Sequence, residues 1–141
     1  MTEAVEILLV EDDPNHAEMT LRTLRKQNIA NRVQVARDGA EAVEFLFANG
    51  AERNGTPRVI LLDLKLPQID GIEVLRRIKA DPRTRKIPVV VLTSSNEDHD
   101  LQACYELGVN SYIVKPVGFQ QFADAVRSLG LYWVLLNQLP S

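Results

Sequence analysis

Disulfide chemistry is closed to this chain, because its 141 residues include a single cysteine, Cys104. One thiol cannot close an internal bridge, and so a reducing compartment is expected. Cys104 has no CxxC neighbour and reads as a small, half-buried helix residue rather than a nucleophile or ligand. Histidine is nearly as scarce. His16 and His99 stand far apart without metal-ligand spacing, which argues against a histidine-based metal site. Basic charge is not in excess either: 16 Lys and Arg face 19 Asp and Glu, for a net charge of -3. A nucleic-acid binder would show a basic face. The one short basic cluster, Arg83, Arg85 and Lys86, reads as a solvated loop. Long hydrophobic runs are missing too. The run 7–10 is cut off by Glu11-Asp12-Asp13, too short for a signal peptide or a membrane span. A soluble, cytoplasmic protein with no membrane partner is therefore expected. Neither a P-loop glycine pattern nor GxGxxG occurs, so nothing obvious cradles a pyrophosphate.

What remains is an ordinary globular composition, 45% hydrophobic, of a size for one domain. Short apolar, β-branched runs at 7–10, 32–36, 59–62, 89–92 and 111–114 alternate with helical patterns. Their unbroken hydrophobicity suggests strands covered on both faces, as in a parallel sheet. Pro14 suits the first position of a helix with Asp13 as its cap, and Ala17, Leu21 and Leu24 follow at helical spacing. Asp38-Gly39 opens a second helix in which Val43, Leu46 and Phe47 share a face. Gly71 precedes a third, with Val74, Leu75 and Ile78, closed by Asp81-Pro82 because a residue before proline avoids the helical region. A fourth covers 97–107 and ends at Gly108. A fifth is marked by Phe119, Phe122, Val126 and Leu129. Five βα units predict a doubly wound α/β sheet. The polar stretch 49–57 looks like a surface excursion. Residues 131–141 form an apolar extension too short for an output domain.

The chemistry gathers where the strands end. The first runs into Glu11-Asp12-Asp13, the third into Asp63, the fourth into Thr93-Ser94-Ser95 and the fifth into Lys115-Pro116. In a doubly wound sheet these carboxyl ends converge, and ligands bind there. Clustered carboxylates cannot all stay ionised without a counter-charge. A hard divalent cation is the natural partner, and Mg²⁺ suits a few carboxylates, waters and a phosphate. Such a site can run phosphoryl transfer with a carboxylate as nucleophile. Taken singly, each residue has a plainer explanation: Asp13 a cap, Asp63 a turn residue, Thr93 a solvated hydroxyl, Lys115 a surface lysine. Their joint placement at successive strand ends is hard to ascribe to chance.

These motifs resemble the response-regulator receiver domain over about residues 6–129. They comprise Leu9-Val10-Glu11-Asp12-Asp13-Pro14; Leu61-Leu62-Asp63-Leu64-Lys65-Leu66-Pro67 with Asp70-Gly71; Val89-Val90-Val91-Leu92-Thr93; and Tyr112-Ile113-Val114-Lys115-Pro116. The resemblance implies a flavodoxin-like five-stranded parallel sheet of order 2-1-3-4-5 with five helices, and a receiver domain over residues 1–130. It implies Asp63 as phospho-acceptor and Glu11 and Asp12 as the acidic pair for Mg²⁺. Asp12 is the expected direct ligand, although Asp13 leaves a one-residue ambiguity. Lys65 would lend its backbone carbonyl to the metal, Thr93 would bond a phosphoryl oxygen, and Lys115 would pair with the phosphoryl charge across a cis peptide to Pro116. Tyr112 matches the aromatic whose rotamer follows the threonine; a half-exposed strand aromatic is the plainer reading. Lys65 and Ser95 occupy positions that, by the same resemblance, would flank the path of hydrolytic water.

The stretch 49–57, the phrase 86–98 and the tail 132–140 resemble the single-domain regulators of bacterial phytochrome histidine kinases. This implies a sensor histidine kinase of the bacteriophytochrome kind as partner and a homodimer; the apolar tail with Tyr132 and Trp133 is a candidate interface, the plainer reading being that it folds back onto its own domain. Within the family, either a terminal regulator or a phosphorelay intermediate is open. A phosphatase with an aspartyl nucleophile is the enzymatic rival. Enzymes of the haloacid dehalogenase type carry a second aspartate two residues on, where this chain has Lys65, so a switch rather than a turnover enzyme is expected. A DNA-binding regulator would need a helix-turn-helix after residue 129, and none fits.

Overall fold

The computed structural model describes residues 7–26, 33–47, 57–64, 66, 70–93, 98–109, 111–115 and 118–128. Strands and helices alternate: β1 (Ile7–Val10), α1 (Pro14–Lys26), β2 (Val33–Ala36), α2 (Gly39–Phe47), β3 (Val59–Asp63), α3 (Gly71–Ala80), β4 (Val89–Thr93), α4 (Asp98–Glu106), β5 (Ser111–Val114) and α5 (Phe119–Ser128). All neighbouring strands run parallel, in the order β2-β1-β3-β4-β5. This is the flavodoxin-like fold that the sequence predicts.

The continuous hydrophobicity of the strands has its expected cause. β1 and β3 are buried along their whole length because successive side chains enter opposite layers. Leu8, Val10, Ile60, Leu62, Val89 and Val91 face one core, closed by Ala42 and Leu46 of α2, Val74, Leu75 and Ile78 of α3 and Cys104 of α4. Ile7, Leu9, Val59, Leu61, Val90, Leu92 and Ile113 face the other, closed by Ala17 and Leu24 of α1 and Phe122 and Ala125 of α5. The edge strands β2 and β5 are only partly covered. No helix among the described residues is long and apolar enough to cross a membrane.

Helix starts follow the sequence signals. Asp13 Oδ1 accepts from the Asn15 and His16 amides at 2.8 and 3.2 Å, ahead of Pro14. Asp38 Oδ1 accepts from the Glu41 amide at 2.8 Å. Asp70 caps α3, and extended Asp81 (φ -100, ψ 127) stops it. Gly108 closes the turn after α4 at φ 87, where a side chain is strained. Gly71 answers a different need. A Cβ there would meet the Asp63 carbonyl, lie 2.5 Å from Leu64 Cα and lie 2.8 Å from Leu64 O, so α3 begins directly against the end of β3.

Two expectations change in detail. In α2, Leu46 is buried, but Val43 and Phe47 are only half-buried and Gly39 and Ala42 take the innermost places. The small residues let the helix lie close, while Phe47, partly buried against that core, also carries the Arg83 guanidinium over its ring at 5.4 Å. Cys104 is buried, not half-buried, because it lies on the inner face of α4. Arg83, Arg85 and Lys86 are exposed in the loop after α3, as expected, and Arg83 there also holds Asp81 at 2.9 Å. The excursion at 49–57, save Pro57, and the extension at 131–141 lie outside the described residues.

Candidate functional site

The chain runs from β1 out to β2 and returns across β1 to β3, so the sheet reverses its winding between β1 and β3. A crevice opens at the carboxyl ends there. Val10 pairs with Leu62, which brings the next residues, Glu11 and Asp63, side by side. The Glu11 amide donates to the Ala36 carbonyl at 2.9 Å, carrying the strand geometry one residue past β1. The Glu11 and Asp63 side chains are 0% and 5% exposed. Oxygens of Glu11, Asp12 and Asp63 all lie within 4.8 Å of one another. Asp12 is the exposed member, beside a cleft of about 370 Å³ lined by Glu18, Leu21, Val35 and Arg37 among others. Asp13, the third of the acidic run, is taken up by its helix cap, and the two amides it accepts hold its carboxyl below the usual range.

Lys115 supplies the cation. It stands one residue beyond β5, two strand spacings or roughly 10 Å from β3, a gap its flexible four-carbon stem spans. Its ammonium donates to Asp63 Oδ2 at 3.0 Å and forms an ion pair with Glu11 Oε1. It also meets His16 Nδ1 at 3.1 Å. Burial pulls the Lys115 pKa down, but the Glu11 hydrogen bond and the Asp63 charge outweigh it, and the ammonium is held above its ordinary value.

One cation cannot satisfy two buried carboxylates. Burial pushes Glu11 up to about 7, and the hydrogen bond it shares with Asp63 and the Asp63 charge add to the rise against the pull of Lys115. Glu11 Oε1 is fully buried, and the lysine ammonium is its ion-pair partner. The centre thus has acidic oxygens in excess of its positive charge, arranged as a hard divalent cation requires. The donor set fits such an ion.

The structure brings Glu11, Asp12, Asp63 and Lys115 together as the sequence predicts. Thr93 ends β4, paired with Val114, so its backbone reaches the same edge; its side chain lies outside the described atoms. Lys65, Ser95 and Pro116 lie outside the described residues. Tyr112 is half-buried on β5, with its ring edge-on to Tyr105 of α4 at 6.0 Å and 81°. His16 was not among the residues that the sequence singles out. Its signal was position alone, one helical turn beyond Asp13 on the helix that leaves the acidic run.

Comparison with known proteins agrees with this geometry. Residues 7–127 match the family model described as the response regulator receiver domain. The chain is 42% identical to the probable methanogenesis regulatory protein FilR2 of Methanothrix harundinacea, over 95% of this chain and 86% of that one. It is 39% identical to response regulator Rcp1 of Synechocystis sp., over 96% and 92%. The structure of the bacteriophytochrome response regulator AtBRR superposes with a TM-score of 0.82 at 52% identity, over 96% of this chain and 99% of that one. The Mn²⁺-bound form of Rcp1 superposes with a TM-score of 0.76 at 38% identity, over 97% and 99%.

Proposed function

The chain belongs to the response-regulator receiver family, and from that premise we propose that it is a phospho-accepting switch of the single-domain kind, with Asp63 as the acceptor. The observation that carries this reading is the buried Asp63 carboxylate, at 3.0 Å from Lys115 and clustered with Glu11 and Asp12 at the reversal of the sheet. The donor would be a phosphohistidine on a sensor histidine kinase. The likeness to AtBRR supports a kinase of the bacteriophytochrome kind, and the chain is read as a terminal regulator rather than a phosphorelay carrier.

An Asp63 oxygen attacks phosphorus, the P–N bond breaks, and the imidazole nitrogen leaves with the electron pair. The product is an aspartyl phosphate. Lys115, already fixed beside the attacking carboxylate, balances the charge of the arriving phosphoryl group. Glu11, Asp12, Asp63 and the Lys65 carbonyl would hold Mg²⁺, which when bound offsets the charge shared by carboxylates and phosphoryl oxygens. Thr93 would turn its hydroxyl to a phosphoryl oxygen. Tyr112 would leave its place against Tyr105 and follow, remodelling the face of α4, β5 and α5 and biasing an equilibrium between two states. Lys65 at the second position after the acceptor suits a switch rather than a turnover enzyme. The apolar tail would join two copies in the cytoplasm.

Incubation with histidine kinases carrying labelled phosphate tests the reading. Wild type should take up label in Mg²⁺ and lose the uptake with chelator, while Asp63→Asn, which keeps the shape, should take up none. Label on Asp63→Asn equal to wild type would sink the assignment.

A further inference from the structure

The lysine in the site has a third neighbour that the proposed reaction leaves without a role. His16 Nδ1 lies 3.1 Å from Lys115 Nζ. A lysine ammonium only donates, so Nδ1 accepts and the ring carries its hydrogen on Nε2. That nitrogen faces Asp13 Oδ2 at 3.7 Å. The His16 amide donates to Asp13 Oδ1 at 3.2 Å, so one aspartate anchors the backbone of His16 and faces the far side of its ring.

We propose that His16 is a positioning residue for Lys115, keeping the ammonium at Asp63 while its carboxylate partners turn to other groups. The proposal rests on the phospho-acceptor reading above. An ammonium has three hydrogens to place, and Lys115 has three acceptors: Glu11, Asp63 and His16. Glu11 and Asp63 belong to the acidic cluster that suits a divalent cation, and Asp63 is also the group to be phosphorylated. Both must redirect oxygens when cation and phosphoryl group arrive. His16 stands outside that cluster and keeps its lone pair for the lysine throughout. A long, mobile side chain is thereby tethered at one hydrogen while its other two transfer to the phosphoryl oxygens, which shortens the search for the reactive geometry.

The test compares wild type, His16→Ala and His16→Asn, with labelled acetyl phosphate as donor at saturating Mg²⁺. Attack by Asp63 then breaks the bond between phosphorus and the acetyl oxygen and releases acetate. Asparagine sets an amide oxygen near the position of Nδ1, so it keeps the acceptor without the ring. Loss of one hydrogen bond to a charged group should slow labelling of His16→Ala about tenfold, with His16→Asn within about threefold of wild type. The Mg²⁺ affinity should be unchanged in both, and any fall in unfolding temperature in His16→Ala should be recovered in His16→Asn. Labelling of His16→Ala at the wild-type rate, or His16→Asn as slow as His16→Ala, would overturn the proposal. Absence of label on wild type would count against Asp63 instead. In that event the ¹⁵N signal of the Lys115 ammonium decides: His16 holds it if the signal is protected from exchange in wild type and His16→Asn but lost in His16→Ala. Equal protection in all three proteins refutes the tether.

Discussion

Glu11 and Glu73 are the same residue in the same kind of company, and their carboxyls are driven in opposite directions. Glu73, in the first turn of α3, takes Arg76 at 2.6 Å and Arg77 at 3.1 Å. The arginines are exposed and Glu73 is half-exposed, and the hydrogen bonds from Arg77 and Arg76 hold the Glu73 carboxyl below its ordinary value. Glu11 has Lys115, yet burial lifts its carboxyl to about 7. The comparison separates attraction from solvation. On the helix surface, water continues to stabilise the carboxylate and the arginines add to it. At the sheet edge water is excluded, and one ammonium does not replace it for two acids. A salt bridge of good length thus says little until its surroundings are known. The buried trio is a standing imbalance suited to receiving a cation.

The widest break in this comparison comes from removing the buried cation. Lys115→Ala leaves Glu11 and Asp63 facing each other without a counter-charge, and should lower the stability of the metal-free protein by about 3–5 kcal/mol, read by denaturant unfolding at pH 8. Added Mg²⁺ should restore part of the loss.

Removing the surplus acid should do the opposite. Glu11→Gln leaves the Lys115–Asp63 pair intact, and should raise metal-free stability by about 1–2 kcal/mol at pH 8 while weakening Mg²⁺ binding at least tenfold. The pH dependence follows from the upward shift. The folded protein retains a proton on Glu11 that the unfolded chain releases near 4.5. The stability from this group is full below 4.5 and is lost as pH rises through about 7. Metal must displace the same proton, so Mg²⁺ affinity should fall as pH drops below about 7 in wild type. Both dependences should flatten in Glu11→Gln, as titration calorimetry and unfolding across that range would show. The smallest effect belongs to the exposed partner: Glu73→Ala should cost no more than about 0.5 kcal/mol, shrinking further in high salt.

The sequence made the sheet legible because its central strands are covered on both faces, and continuous runs such as Val59 to Leu62 can hardly be placed otherwise. The ends of those runs carried the site, since the fold alone brings Glu11, Asp63 and Lys115 to one edge. Spacing could not say which member of the acidic run turns inward. That is decided by the Glu11 amide continuing the ladder to Ala36 and by Asp13 closing onto its own helix. On α2, hydrophobicity marks Val43, Leu46 and Phe47, of which Leu46 is buried and Phe47 packs against the core; the buried Gly39 and Ala42 carry no such mark, because closeness of approach selects them. His16 was invisible because its role depends on a lysine 99 positions away, reached only after the chain has crossed the sheet.

The glycine at the start of α3 gives the site a hard wall. With no side chain at Gly71, the first turn of that helix sits on the main chain of Asp63 and Leu64. A disturbance at the acceptor therefore finds no slack on that flank. On the other flank lies β5, a four-residue margin strand bonded to a single neighbour. A side chain added at Gly71 would have to shift the main chain of the acceptor itself.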